Sequence, residues 1–321
     1  MTGETVRRLA RECGFELAGV ARAGPLPEAE WFFEWVRLGM AGEMEYLTGH
    51  RAALRADPRS LLPSARSVIC VGKLYNTPHP YSSDFREPGR AWISRYAWGR
   101  DYHKLMRRGL QRLAGRLQQA AGQPFEWRAS CDSAPLLERA LARQAGLGWI
   151  GKNSCLIHER SGSWYFLGEL LVSLEIEPDQ PAPDRCGSCT RCIEACPTGA
   201  IVPTGQSGGP AYTVDSRRCI SYLTIELRGP MPSSRKAELG FHLFGCDICQ
   251  DVCPWNRRAP ATGEPDFQPR HFAPPLDWLQ ALDAEGFRRS FAGTPVLRAG
   301  WEGFRRNLEA LLEADGRPSA R

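Results

Sequence analysis

Along residues 1–180 the apolar positions recur with two different periods. In "VRRLARECGF" (6–15) they fall three and four apart, which predicts a helix closing at Gly14. "FELAGVAR" (15–22) then alternates as a strand does, and the apolar run "SVICVGKLY" (67–75) predicts a buried strand. Residues 103–121 predict an amphipathic helix with Met106, Leu110, Leu113 and Leu117 on its apolar face. "APLLERALARQAGLG" (134–148) predicts a second helix, with Pro135 in its first turn and Gly146 near its stop. "GSWYFLGELLVSLEIE" (162–177) reads as two strands with a turn between them. The patterning then breaks at the Pro-rich linker "EPDQPAPD" (177–184), beyond which "PTGQSGGPA" (203–211) reads as a loop or hairpin. After residue 265 the pattern is helical again. The expected fold is α+β: a mixed α/β domain over 1–180, a cysteine-rich ferredoxin-like domain over 181–265 and a helical segment over 266–321.

Composition narrows the class. Hydrophobic residues make up 42% of the 321 and charged residues 24%, as in ordinary soluble proteins. The net charge of +5 permits nucleic acid as a partner without demanding it. The N-terminus lacks an apolar signal region, and the longest apolar stretch, from Trp164, is too short to span a bilayer and contains Glu169. No membrane partner and a cytoplasmic location are expected. Twelve cysteines in a reducing compartment point to metal or catalysis rather than to disulfides.

Eight of those cysteines lie between Cys186 and Cys253. The first motif reads Cys-x2-Cys-x2-Cys-x3-Cys-Pro and supplies Cys186, Cys189, Cys192 and Cys196. The second, "FGCDICQDVCPWN", supplies Cys246, Cys249 and Cys253. Leu243 stands where its fourth cysteine would be, and Cys219 is the substitute. Eight thiolates suffice for two [4Fe–4S] clusters. In two-cluster ferredoxins the last cysteine of a run ligates the other cluster. Cys186, Cys189, Cys192 and Cys253 are therefore expected to hold one cluster, and Cys196, Cys219, Cys246 and Cys249 the other. Zinc also accepts four thiolates, but zinc ribbons use separated pairs rather than a run ending in Cys-Pro. Cys13, Cys70, Cys131 and Cys155 fall outside the pattern, and Cys70 reads as a small buried hydrophobe.

A ferredoxin module needs far fewer residues than this, so residues 1–180 are expected to form an attached reductase. Clusters deliver single electrons, and a two-electron reduction needs a cofactor or radical intermediate that takes them in turn. Neither G-x-G-x-x-G after a strand nor a Walker A sequence is present. Three stretches read as site material: "ISRYAWGRDYHKLM" (93–106), "RASCDSAPLLERALA" (128–142) and the Gly-rich turn in "GLGWIGKNSCLI" (146–157). Asp132 ahead of S-A-P reads as a helix N-cap. Its catalytic alternative requires a carboxyl buried enough to hold a proton near neutral pH.

"RYAWGRDYH", "CDSAPLLERALARQAGLGWIGKN", the cysteine run and the displaced Cys219 with "FGCDICQDVCPWN" together resemble the epoxyqueuosine reductase family, over roughly residues 10–260. The resemblance implies a cobalamin in the N-terminal reductase domain beside one of two [4Fe–4S] clusters, as in reductive dehalogenases. It implies the last step of queuosine synthesis in tRNA, in which the epoxide of epoxyqueuosine at the wobble position becomes an alkene. Two electrons and two protons enter, and one water leaves. Asp132 is then the expected proton donor. Arg55, Arg95, Tyr96, Tyr102, His103, Asp132, Lys152 and Asn153 are the expected lining of the cobalamin and substrate pocket. No D-x-H-x-x-G arrangement occurs, so no protein ligand to cobalt is expected. The implied partners are tRNA carrying epoxyqueuosine and an external electron donor, for a monomeric enzyme.

Lys104, Arg108, Arg112 and Arg116 recur every four residues and form one stripe on a helix. A solvated helix face accounts for such a stripe; contact with tRNA phosphates is the alternative. Arg217 and Arg218, with Arg257 and Arg258, flank the cluster cysteines and extend that footprint. Many family members carry a longer HEAT-like C-terminal extension, whereas about 55 residues follow the cluster domain here. Three other readings stand beside this one: a dehalogenase-like reductase of a small molecule, a plain ferredoxin-type electron carrier, and a zinc-bearing tRNA-binding protein.

Overall fold

The computed structural model of the chain describes residues 1–85, 87–205, 209–314 and 316. Its strands are β1 (Leu17–Arg22), β2 (Ser67–Leu74), β3 (Trp92–Ile93), β4 (Trp127–Ser130), β5 (Trp149–Ile150), β6 (Leu156–Ile157), β7 (Tyr165–Val172), β8 (Ile201–Pro203), β9 (Tyr212–Val214) and β10 (His242–Phe244). One antiparallel sheet takes the order β1-β2-β7-β4. Both its faces are covered, which is why β2 reads as an unbroken apolar run: every one of its residues is buried. On one face Ile69, Val71, Leu170 and Val172 meet the Gly3–Glu12 and Tyr102–Ala121 helices through Val6, Leu9, Met106, Leu110, Leu113 and Leu117. On the other, Val68, Cys70 and Leu171 meet Ala140 and Leu141 of the Glu138–Gln144 helix. Burying each long apolar side chain of the Tyr102–Ala121 helix contributes about 1.5–3 kcal/mol, which fixes that helix and its N-terminal turn to the sheet.

Two sequence expectations fail here. "GSWYFLGELLVSLEIE" carries one strand, not two, because β7 runs straight through Gly168. A Cβ at Gly168 would meet Met106 Cε at 3.0 Å and Leu110 Cδ1 at 3.2 Å, so this glycine marks close helix–sheet approach rather than a turn. The helix expected over 134–148 begins only at Glu138. Before it the backbone bends tightly, with Ser133 N–H donating to Cys131 O (2.6 Å) and Leu136 N–H to Ala134 O (2.8 Å). Pro135 therefore precedes the helix.

The cysteine-rich stretch is joined to the rest by a second core. Trp92, Ile93 and Trp98 pack there with Ile220, Leu223, Leu243 and Phe244, and with Phe287, Phe291, Phe304 and Leu311 from the C-terminal stretch. β3 pairs in parallel with β10. Asn307, in the Gly300–Ala314 helix, donates to Thr224 O (2.7 Å) and Leu243 O (3.0 Å). β8 and β9 form a hairpin within "PTGQSGGPA" and its flanks; residues 206–208 of that stretch lie outside the described residues. Among the described residues no helix is long and apolar enough to cross a membrane.

Candidate functional site

The loop ahead of the Tyr102–Ala121 helix and the loop after β4 meet at Asp132. Asp101 caps the helix by accepting the His103 N–H (3.0 Å), and this sets Tyr102 and His103 side by side with rings 4.4 Å apart. Tyr102 stacks on Phe166 at 4.0 Å, and its hydroxyl donates to Asp132 Oδ2 (3.0 Å). His103 Nδ1 lies 2.6 Å from Asp101 Oδ1, and Nε2 lies 3.4 Å from Asp132 Oδ2. The Asp132 side chain is 55% exposed, so this face opens outward.

These contacts fix the protonation states. The hydrogen bond to Asp101, then that to Asp132, raises His103 to about 9. His103, followed in smaller part by Tyr102, holds the Asp132 carboxyl below its ordinary range against burial. Burial and the neighbouring Asp132 charge keep the Tyr102 phenol protonated as a donor. At neutral pH the site thus stores its proton on the imidazole, with Asp132 ionised. At Asp132 the hydrogen bond from the histidine thus outweighs desolvation. The N-cap reading fails. Asp132 has φ +59°, and its own N–H donates to the Glu138 carboxylate, six residues ahead of which it lies.

Other expected pocket residues sort differently. Tyr96 is close enough to Asp132 and Arg298 to feel both charges, and burial raises its phenol strongly. Arg55 is buried and donates to Leu136 O (2.9 Å) and Tyr46 O (3.1 Å), bracing the loop that follows Asp132. Arg95 is 2% exposed; it donates to Thr77 O, His79 O and Pro80 O and stacks over Trp98 at 4.5 Å, an internal brace rather than a pocket wall. Lys152 and Asn153 lie elsewhere. Lys152 Nζ donates to Gly187 O (2.8 Å) and Cys189 O (2.9 Å), and Asn153 donates to Cys249 O (3.2 Å). The β5–β6 turn therefore buttresses the cysteine loops. Sequence reasoning missed Tyr46 and Arg298. Arg298 pairs with Glu226 (2.7 Å), sits over the Tyr46 ring at 5.4 Å and adds to the field that keeps Asp132 ionised. No motif surrounds either residue.

The thiols fall into two sets. Burial, then Cys186 and Cys189, raise Cys192 to about 11, and Cys253 rises similarly through burial with Cys186 and Cys192 among its neighbours. Cys246 is raised by burial and by Cys219 and Cys196 beside it, and Cys249 has Cys246 and Cys219 among its neighbours. Cys253 thus neighbours thiols of the first run, and Cys196 neighbours Cys246 of the second. Reduced thiols so crowded resist ionising together, whereas iron favours thiolates, so the donor sets suit two cubane clusters. Cys155, outside the motifs, bonds to Cys249. Asp247, beside Cys246, accepts from Trp92 Nε1 (3.2 Å), the Ser94 hydroxyl (2.5 Å) and Arg95 N–H (2.7 Å), which ties the second set to the loop leading into His103.

The basic stripe is shorter than its spacing suggests. Arg112 donates to Cys13 O (3.0 Å) and Arg116 pairs with Glu12, so both serve helix packing. Lys104 and Arg108 are exposed within the first two turns of the helix that begins at Tyr102. Arg217 pairs with Asp215 (2.9 Å), and the Arg218 guanidinium lies beside Gly199.

Comparison with known proteins places the chain among named relatives. The family model "Epoxyqueuosine reductase QueG, DUF1730" matches residues 55–133, and the "4Fe-4S double cluster binding domain" matches 185–256. The epoxyqueuosine reductase of Xanthomonas campestris is 43% identical over 311 residues, covering 96% of this chain and 85% of its own. A crystal structure of an epoxyqueuosine reductase with an epoxyqueuosine-modified tRNA-Tyr stem loop aligns with TM-score 0.86 at 28% identity, over 99% of this chain and 82% of that one. The Bacillus subtilis enzyme, with its catalytic aspartate loop swung out of the active site, aligns with TM-score 0.83 at 28% identity, over 97% and 81%.

Proposed function

This chain belongs to the epoxyqueuosine reductase family of oxidoreductases, and on that premise we propose that it reduces epoxyqueuosine to queuosine at the wobble position of tRNA, with Asp132 delivering protons held by His103. The observation that carries the reading is the convergence of Tyr102 Oη and His103 Nε2 on Asp132 Oδ2 at an open face. Opening an epoxide to an alkene expels its oxygen, and an alkoxide is a poor leaving group. A carboxylate that borrows a proton from an adjacent imidazolium protonates that oxygen as the bond breaks. Tyr102, protonated and stacked, holds the carboxylate in line.

Two [4Fe–4S] clusters and cobalamin are the cofactors of this reading. Cys186, Cys189, Cys192 and Cys253 would hold one cluster and Cys196, Cys219, Cys246 and Cys249 the other. The face at Asp132 suits a corrin because it is open and because both nitrogens of His103 are already engaged, leaving that ring no part as a cobalt ligand. Bound cobalamin supplies a low-potential, strongly nucleophilic metal centre able to attack an epoxide carbon. Tyr96 and the Cys219 and Cys246 thiols pack against one core, and single electrons would pass from the second thiol set toward this face. Lys104 and Arg108, and to a lesser degree Arg112, Arg217 and Arg218, would meet tRNA phosphates. The Asp132 loop is expected to move as its counterpart does in the Bacillus subtilis relative. In this scheme residues 1–180 bind cobalamin and react, 181–265 conduct, and 266–321 brace both; the enzyme acts in the cytoplasm as a monomer with an external donor.

The test is nucleoside mass spectrometry on anaerobically prepared protein with cobalamin, a low-potential reductant and tRNA containing epoxyqueuosine. Loss of one oxygen with gain of queuosine is expected. No conversion by protein that holds both clusters and cobalamin would overturn the substrate assignment.

A further inference from the structure

Glu169 lies within β7, opposite Cys70 of β2 and Ser130 of β4. It is 0% exposed, and among the described residues no donor group reaches either carboxyl oxygen. A carboxylate so placed cannot stay charged and unpaired. Its neighbour is another acid. Glu138 opens the helix packed on that face of the sheet, and the two carboxyls stand within hydrogen-bonding reach. Burial first, and then nearby negative charge, raises both. Two facing acids hold one proton between them. With that proton on Glu169, Glu138 receives a hydrogen bond and remains an acceptor, and its acceptor oxygen takes the Asp132 N–H.

Asp132 needs such an anchor. Its φ of +59° lies in the left-handed region, which L residues seldom adopt and aspartate tolerates better than most. The bends after it are held by Arg51, donating to Ser133 O (3.1 Å), and by Arg55, donating to Leu136 O, and neither of these bonds involves the Asp132 amide. We propose that Glu138 and Glu169 are a positioning pair whose shared proton keeps Glu138 as the acceptor for the Asp132 amide, latching the Asp132 loop against Tyr102 and His103. The inference rests on Asp132 being the proton donor; neither glutamate is placed to touch substrate. The buried acid thus has a task that sheet stability does not supply, since an apolar residue would pack there without desolvating a carboxyl.

Two readouts on the cluster-loaded full chain test it: amide hydrogen exchange over 131–137, and the infrared band of a protonated carboxyl. Glu138→Ala is expected to speed exchange in that loop about tenfold or more while β2 and β7 stay protected. Its single-turnover rate falls while KM for a tRNA stem loop holds. Glu169→Gln offers an amide donor in place of the acid, so the loop stays protected and the infrared band disappears. Glu169→Leu, which has no donor, frees the loop as Glu138→Ala does. Glu138→Gln preserves side-chain size and reports on the band even if the alanine variant fails to fold. Unchanged loop exchange in Glu138→Ala, or a band that survives both glutamine variants, would overturn the latch. Turnover retained by Asp132→Ala would instead refute the acid assignment, and the exchange data would still judge the latch.

Discussion

The cysteine region and the Asp132 site solve the same problem, gathering reactive side chains, in opposite ways. Seven of the eight cluster thiols come from two short runs, 186–196 and 246–253, and each run delivers its donors through local turns. The Asp132 site draws on a helix start at 101–103, a bend at 131–138, Tyr46, and Arg298 from the far end of the chain. Spacing dictates the first region and tertiary packing the second. One consequence is that the cysteine region tolerates little variation in sequence interval, whereas the Asp132 site depends on bonds between segments that no interval encodes.

The largest effect belongs to the assembled site. Asp132→Ala should lower turnover by about 10²–10⁴-fold, the range for removing a positioned acid or base, with iron per chain unchanged. Iron analysis beside nucleoside mass spectrometry separates loss of chemistry from loss of clusters. In the cysteine region the informative change crosses the motifs. Cys253→Ser should remove the cluster held by the first run, and Cys196→Ser the one held by the second, each taking about half the iron. Cluster spectroscopy that finds each serine emptying its own motif would mean that the ligation is uncrossed and that each run serves one cluster alone.

His103 sharpens the comparison through pH. Its folded pKa of about 9 lies above the ordinary value of 6.5. The contact of the imidazolium with Asp101 and Asp132 is therefore complete below about pH 6.5 and is lost as pH rises through about 9. Single-turnover rates should fall on the alkaline side as the stored proton departs. His103→Gln should remove that alkaline limb and slow turnover about tenfold or more. An unchanged pH profile in the variant would place the proton elsewhere. The smallest effect is expected at the surface: Lys104→Ala and Arg108→Ala should each weaken stem-loop binding a few-fold and reduce its salt dependence. Arg112→Ala should instead lower stability, because its guanidinium holds the end of the first helix.

Sequence legibility follows the same divide. The cysteine runs and the separate stretches that carry Tyr102, His103 and Asp132 were each visible as motifs, whereas the meeting of those stretches at Asp132 Oδ2 is set by packing. The bonds of Lys152 and Asn153 to the cysteine loops were not legible, because a Gly-rich turn does not encode its partners, which are chosen by how the β5–β6 hairpin docks. The burial of Arg95 was not legible either, because the carbonyls from 77–80 that its guanidinium meets lie in another segment. Glu169 seemed only an interruption of an apolar run. Its meaning depends on Glu138, which lies across the sheet–helix interface.

The helix at Gly300–Ala314 also bears on how the protein is made. Its Asn307 and Phe304 complete the core beneath Leu243 and Phe244, next to the second cysteine run. A ribosome delivers the chain N-terminus first, so all eight cysteines emerge before the helix that closes their surroundings exists. At about 5–20 residues per second, that leaves several seconds in which the four-stranded sheet can fold while the cysteine loops stay open. In that interval the thiols are accessible to iron and sulfide delivery, and equally to oxidants. Closing the last wall of the module is thus a step of biogenesis, after which the loading route narrows.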